Sequence, residues 1–421
     1  MGNRLGKLST GPRTPRAAKT AAGVSASMAA MADSLDDFAE RKLAEIASRN
    51  LTRRVQATAR GPGALTMRGA KKLISFCDND YLGLSQHPAV IEAAAAATRE
   101  FGAGAGASRL VTGSNPLYDA LEARIARIKG TEAALVFGSG YLANIGIIPS
   151  FVGPGDLILG DELMHACMHA GAKLSGAATH MFRHNDVDDC ARLLNKHRGN
   201  ADRCLVLTEG VFSMDGDRAP VGALAALAHA NDGWLLVDDA HALGVINGGR
   251  GSGFDEDGRA LGVDLAMGTL SKAAGSYGGY VAASRVVVDY LVNRARSLIF
   301  TTGLPPGVLA ASEMALQLIE EDDELAAAPL ARARTFTAAL GLPRAMSAVV
   351  PLVLGDEARA LEASVRLAER GFLVTAIRPP TVPPGTSRLR FTFSAAHDEG
   401  DVQRLIDTIL ELGLAPERQP A

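Results

Sequence analysis

From residue 116 onward the chain alternates between short apolar runs and helical stretches with a regularity that few architectures accommodate. A helical stretch at 116–129 stops at Gly130, an apolar run follows at 133–137, and Gly138-Ser139-Gly140-Tyr141 opens the next helix. The alternation continues through a strand at 157–159, a helix at 165–174, a strand at 179–182, a helix at 187–197 and a strand at 204–207. A helix near 223–230 and strands at 234–237 and 263–270 complete it. Such β/α alternation predicts an α/β fold, a mostly parallel central sheet with flanking helices. After Leu304-Pro305-Pro306 the pattern changes to helices at 309–321, 324–340, 358–370 and 401–412 around strands at 349–354, 373–377 and 389–393. This predicts a smaller α+β C-terminal domain. The expected division is a disordered basic extension at 1–32 and a helix-and-strand segment at 33–80. A large α/β domain at 81–306 and the small domain at 307–421 follow.

Composition narrows the function classes. The 421 residues are 47% hydrophobic and 21% charged with a net charge of -3, enough for one large or two moderate cores. The near-neutral balance gives no electrostatic reason to expect nucleic acid, and no apolar run is long enough to span a bilayer. Cys77, Cys167, Cys190 and Cys204 form no C-x-x-C pair and read as reduced thiols of a cytosolic protein. His165 and His169 have helical i, i+4 spacing, but no carboxylate nearby completes a metal site, so no metal is expected. Residues 1–32 carry Arg4, Lys7, Arg13, Arg16 and Lys19 without an acid. They read as an organellar transit peptide or as an extension ahead of Met28 and Met31, the alanine-rich style favouring a bacterial extension.

The strand ends carry the chemistry. In open α/β sheets, ligands collect at the carboxyl ends of the parallel strands. There the run Trp234 to Val237 delivers Asp238-Asp239-Ala240-His241, and the run Val263 to Leu270 delivers Ser271-Lys272. Alone, Lys272 could be a solvated strand-end lysine. Burial would lower its pKa toward a neutral amine able to form a Schiff base with an aldehyde. Pyridoxal phosphate needs such a lysine, a carboxylate for its ring nitrogen and anion donors for its phosphate. The glycine turn at 138–141, between a strand and a helix, offers the third through free backbone N–H groups. A second glycine-rich stretch, residues 102–109, matches G-x-G-x-x-A but follows a helix rather than a strand. That context rejects dinucleotide binding, and the stretch is expected to line a substrate cavity.

With Lys272, Asp238-Asp-Ala-His241 and Gly138-Ser-Gly-Tyr141 placed, the chain resembles the α-oxoamine synthases from about Ser34 to its C-terminus. These are fold-type-I pyridoxal phosphate transferases that condense an amino acid with an acyl-CoA. Asn79-Asp-Tyr-Leu-Gly83 and the segments 208–217 and 374–386 carry the likeness, the last being most similar to members that join L-alanine to a pimeloyl thioester for biotin. The resemblance implies a cytoplasmic, homodimeric acyltransferase using pimeloyl-CoA or a pimeloyl carrier protein. It implies that Lys272 holds the cofactor and then serves as acid and base, and that Asp238 pairs with the ring nitrogen. By the same resemblance His241 and Ser213 sit at the ring oxygen, and His165 stacks on the ring. Gly140, Tyr141 and Thr269 serve the phosphate, and Thr301 or Thr302 reaches that of the partner subunit. Arg390 would clamp the amino-acid carboxylate, with Arg378 and Arg388 as alternatives and Asn79 and Thr381 as further substrate contacts. Arg53, or Arg54 if the alignment slips, would meet an acyl carboxylate or a CoA phosphate. The residues Ser108-Arg-Leu-Val-Thr-Gly113, Ser271 and a short 321–350 segment depart from the family pattern and bear on the acyl donor. Rival readings are a sister synthase using glycine or serine, and a catalytically silent regulatory paralogue. The intact Lys272, Asp238 and His241 speak against the second.

Overall fold

The computed structural model describes residues 34–49 and 51–415, so the basic extension at 1–32 lies outside the described residues. The chain divides into two units, Met1–Arg53 and Arg54–Ala421. The first contributes helix α1 (Leu35–Ser48), started by a reciprocal cap. Ser34 Oγ accepts the Asp37 N–H at 3.1 Å, and the Asp37 carboxylate accepts the Ser34 N–H at 3.2 Å. Its periodic apolar residues Leu35, Phe38, Leu43 and Ile46 are all exposed.

The second unit opens with strands β1 (Ala59–Arg60), β2 (Leu65–Arg68) and β3 (Lys71–Ser75), followed by helices α2 (Pro88–Phe101) and α3 (Leu117–Lys129). The alternating region then runs β4 (Ala133–Phe137), α4 (Gly140–Phe151), β5 (Leu157–Asp161), α5 (Ala166–Ser175) and β6 (Ala178–Phe182). It continues with α6 (Val187–His197), β7 (Cys204–Glu209), α7 (Val221–Ala230), β8 (Gly233–Asp238), β9 (Leu265–Thr269) and β10 (Gly279–Ala283). Helices α8 (Arg285–Arg294), α9 (Arg296–Ile299), α10 (Pro306–Glu321) and α11 (Asp323–Leu340) lead to strand β11 (Val349–Gly355). Helix α12 (Glu357–Glu369), strands β12 (Phe372–Leu373), β13 (Thr375–Ile377) and β14 (Ser387–Thr392), and helix α13 (Glu399–Glu411) finish the chain.

Seven strands form the central sheet in the order β4-β10-β9-β8-β7-β5-β6. Every pair is parallel except those made by β10, which lies antiparallel between β4 and β9. Apart from the edge strand β6 and Trp234 at the start of β8, the sheet is buried on both faces, as a parallel sheet covered by helices must be. On β8, for example, Leu236 packs into the cluster with α4 and α5, while Leu235 and Val237 pack into that with α6 and α7. The β8–β9 connection is a crossover without an α-helix. It winds through turns and returns β9 parallel to β8.

Two smaller sheets stand apart from it. β11, β14 and β13 form an antiparallel sheet, packed with α11, α12 and α13 around Phe336, Phe391 and Phe393. The expected strand at 373–377 is two strands: β12 pairs in parallel with β3 in the sheet β1-β2-β3-β12, and β13 pairs with β14. The segments around residues 65–75 and 372–373 are therefore one sheet despite about 300 intervening residues.

Candidate active site

Three adjacent strand ends point at one place. β7 ends in Glu209, β8 in Asp238 and β9 in Thr269, with Glu209 and Asp238 in register. Lys272 follows Thr269 by three residues. These groups line a cavity of about 210 Å³ together with Ser139, Gly140, Tyr141, His165, Cys167, His241 and Ser271.

Lys272 Nζ lies 2.7 Å from His241 Nε2. Burial pushes the lysine down to about 8, against the opposing pull of the Asp238 and Glu209 carboxylates. His241 is held well below its ordinary pKa by burial, then by Lys272 and Arg390, so it is neutral and its Nε2 accepts from the lysine. Its Nδ1–H then faces Tyr81 Oη at 2.5 Å, and that hydroxyl donates to Asn79 Oδ1 at 3.3 Å. Both terminal nitrogens of Arg390 reach the same Asn79 oxygen at 3.3 Å. A continuous hydrogen-bonded chain thus joins Lys272 to Arg390.

Asp238 and Asp239 diverge because neighbouring strand residues face opposite ways. Asp238 lines the cavity, its Oδ2 accepting from Asn144 at 2.8 Å and its Oδ1 from the Ala240 N–H at 3.0 Å. Asp239 pairs with buried Lys129 at 2.5 Å and with Ser252. His165 is not within α5 but caps its start, Nδ1 accepting the Cys167 N–H at 3.2 Å. Burial holds its imidazole below the usual value, with Lys272 acting in the same direction.

The glycine turn does present a helix start to the cavity. Ser139 caps α4 through the Leu142 N–H at 3.2 Å, leaving the first-turn N–H groups of Gly140 and Tyr141 aimed outward from the helix end. The site is tight enough to need its glycines: a Cβ on Gly279 would lie 2.5 Å from the Ser139 carbonyl carbon, so β10 passes beneath the turn only without a side chain. Thr269 Oγ1 donates to the Gly278 carbonyl at 2.7 Å and meets Ser271 Oγ at 2.8 Å beside that turn.

Other expected residues lie elsewhere. Thr301 and Thr302 line a small hollow with Arg109 and Gly138, outside the Lys272 cavity. Ser213 is not among the cavity-lining residues, and its carbonyl accepts from Arg390 Nε at 2.5 Å. Arg388 is committed to Asp215 at 2.5 Å, which leaves Arg390 as the better placed guanidinium. Thr381 is exposed and outside the cavity, its N–H held by the Arg378 carbonyl. Arg53 is exposed at the end of the first unit. The glycine-rich stretch at 102–109 does not line the Lys272 cavity; half of it is exposed, and Arg109 turns inward to pair with Glu122 at 2.6 Å.

Sequence reasoning passed over Glu209, Asn144 and Tyr81. Glu209 is buried, and burial with Asp238 beside it raises its carboxyl well above the usual value, against the opposing pull of Lys272. Its Oε1 has no hydrogen-bond partner among the described residues, an orphan aimed at a polar cavity. The strand-end rule that found Asp238 also points to Glu209, and a lone amide in the apolar α4 was the signal for Asn144. Among the described residues no group of three ligand-type side chains could hold a metal. A buried low-pKa lysine, an anchored carboxylate and a capped helix start around one cavity do fit pyridoxal phosphate in size and donor chemistry.

Comparisons with known proteins agree. The model of the aminotransferase class I and II family matches residues 71–409. An 8-amino-7-oxononanoate synthase of Methylorubrum extorquens is 58% identical over 91% of this chain and 97% of its own length. A serine palmitoyltransferase of S. paucimobilis, solved with pyridoxal phosphate and myriocin, superimposes with a TM-score of 0.81 at 28% identity, covering 90% of this chain and 97% of that one. An 8-amino-7-oxononanoate synthase of Francisella tularensis gives a TM-score of 0.69 at 26% identity over 81% of this chain and 98% of its own. The cavity, the sheet order and these relatives place the chain in the aminotransferase class I and II family, among the fold-type-I α-oxoamine synthases.

Proposed function

We propose that the protein is a pyridoxal phosphate-dependent acyltransferase that condenses L-alanine with a pimeloyl thioester, releasing carbon dioxide and the thiol to give 8-amino-7-oxononanoate. The observation that carries this reading is Lys272 Nζ held 2.7 Å from neutral His241 beside Asp238, in a chain 58% identical to an 8-amino-7-oxononanoate synthase. Lys272 would hold the cofactor, Asp238 its ring nitrogen, His241 its ring oxygen, and the start of α4 with Thr269 its phosphate. His165 would cover the ring. Bound there, the cofactor supplies an electron sink for a carbanion at the amino acid's α-carbon.

The residues do the rest. Arg390 clamps the alanine carboxylate through its terminal nitrogens, with Asn79 beside it. Lys272, with a pKa of about 8, takes the α-proton near neutral pH and later returns one to the same carbon. Between these transfers the α-carbon bonds to the acyl carbonyl carbon, the thiolate leaves, and the carboxylate departs as carbon dioxide. Arg53 is the reading's candidate for the acyl carboxylate or a CoA phosphate. Thr301 and Thr302, placed outside the Lys272 cavity, suit a phosphate contact in the second subunit of a homodimer. The small C-terminal domain at 307–421 and the large domain at 81–306 would close the cleft between them. No helix among the described residues is long and apolar enough to cross a membrane.

A second reading is a sister synthase of glycine or serine, favoured by the higher TM-score to serine palmitoyltransferase. One competition assay separates the two. L-Alanine, glycine and L-serine are offered with pimeloyl, acetyl, succinyl and palmitoyl thioesters, and the ketone products are weighed by mass spectrometry. Dominant 8-amino-7-oxononanoate supports the first reading, and a glycine- or serine-derived ketone replaces it with the second.

A further inference from the structure

The loop after β7, residues 212–218, is clamped from two sides by groups outside the cofactor cavity. On the sheet side, His184 Nδ1 lies 3.0 Å from Asp161 Oδ1 and its Nε2 lies 2.7 Å from Asp217 Oδ2. The ring stands edge-on to Phe212, with centroids 4.4 Å apart. Asp161, the fully buried last residue of β5, also accepts the N–H groups of Leu163 at 2.9 Å and Asn185 at 2.8 Å. Asn185 Nδ2 adds a bond to Asp217 at 2.8 Å.

On the other side the loop bonds to β14 and to the segment just before β11. The Ser213 carbonyl takes Arg390 Nε at 2.5 Å, and Asp215 and the Met214 carbonyl take Arg388. Ser347 Oγ donates to the Gly216 carbonyl at 2.7 Å, and Arg218 Nε to the Met346 carbonyl at 2.7 Å. Gly216, at φ 75°, lets the loop press close, because a Cβ there would lie 2.0 Å from the Val349 oxygen.

With a carboxylate oxygen at each ring nitrogen, His184 has one favourable protonation state. A neutral imidazole has a single N–H, so its lone pair would face an anion. The imidazolium donates both ways. Burial lowers its pKa, but the bonds to Asp161 and Asp217 outweigh that and raise it to about 10.

We propose that His184 is a positioning residue for the amino-acid substrate: bridging Asp161 and Asp217 as a cation, it fixes the 213–217 loop and, through the Ser213 carbonyl, aligns the Arg390 guanidinium. The proposal rests on Arg390 being the carboxylate clamp. Arg390 Nε is committed to Ser213, so the two terminal nitrogens remain to meet a carboxylate. Their present contacts to Asn79 at 3.3 Å are long and readily exchanged for charged ones. Breaking the latch frees the loop, tilts the guanidinium and weakens amino-acid binding, while the direct contact of Lys272 with His241 is kept.

The test uses His184→Gln and Asp217→Asn in the cofactor-loaded enzyme; Asp217 is one-third exposed, so its isostere threatens the fold little. Each is expected to raise KM for the amino acid by roughly tenfold with kcat within about twofold, and to keep the visible absorption band. In the cofactor-free protein, amides of residues 212–218 should exchange faster with deuterium than in wild type. Arg390→Lys should raise the same KM on its own, and adding His184→Gln to it should raise it little further. If Arg390→Lys raises KM but both latch variants leave KM and exchange unchanged, the latch is wrong. If Arg390→Lys leaves KM unchanged, the carboxylate reading fails first and takes the latch with it. Loss of the cofactor band in both latch variants would make the cluster merely structural and overturn the proposal.

Discussion

Asp238→Asn changes the chemistry of Lys272 in a direction that the geometry dictates. In the wild-type protein burial brings the lysine from 10.5 to about 8, while Asp238 and then Glu209 pull the other way. At pH 7 an amine of pKa 8 is about 9% neutral, against about 0.03% at 10.5, a roughly 300-fold gain in nucleophile worth about 3 kcal/mol. Removing the Asp238 charge deletes the leading support for the ammonium, so the pKa falls further. The assay mixes cofactor-free protein with limiting pyridoxal phosphate at a series of pH values and follows the rise of the imine absorption. The wild-type rate should reach half its maximum near pH 8, and the variant's profile should shift to lower pH. A wild-type midpoint near 10.5, or an upward shift in Asp238→Asn, would refute the argument from burial and charge.

Two further predictions concern the scaffold. His397 stacks on Phe76 at 3.9 Å and donates to the Ser75 carbonyl, and burial pushes its pKa down to about 4. Its folded value lies below 6.5, so the unfolded chain takes the proton first as pH falls. Stability from the neutral ring is complete above about pH 6.5 and declines toward pH 4, by about 3 kcal/mol in all, and His397→Gln should flatten that acid limb in denaturant titrations. Lys129→Met strands the buried Asp239 carboxylate without its partner, and should cost about 3–5 kcal/mol in equilibrium unfolding.

Much of this architecture was readable because its signals are local. The apolar run at 234–237, the glycine turn at 138–141 and the stop at Gly130 each fix their element within a few residues. Lys272, Asp238 and His241 stood out for the same reason, since Asp238 ends β8 and the other two follow a strand end by three residues. What escaped depends on pairing across long separations. Nothing near residue 279 says that β10 runs antiparallel between β4 and β9, and nothing near residue 372 says that β12 joins β3. Tyr81 reaches His241 across 160 residues, and Asn144 reaches Asp238 across 94, contacts set by helix and loop packing alone. The 102–107 stretch shows how little a glycine run fixes, because glycine marks conformational freedom without saying what the backbone will face.

The central claim is that the cavity holds pyridoxal phosphate through Lys272. Borohydride reduction of the cofactor-loaded protein, followed by proteolysis and peptide mass spectrometry, tests it directly. The account predicts one pyridoxyl-modified peptide, with the label on Lys272 and lost in Lys272→Ala. A label on another lysine, or none on protein that shows the visible band, would contradict it.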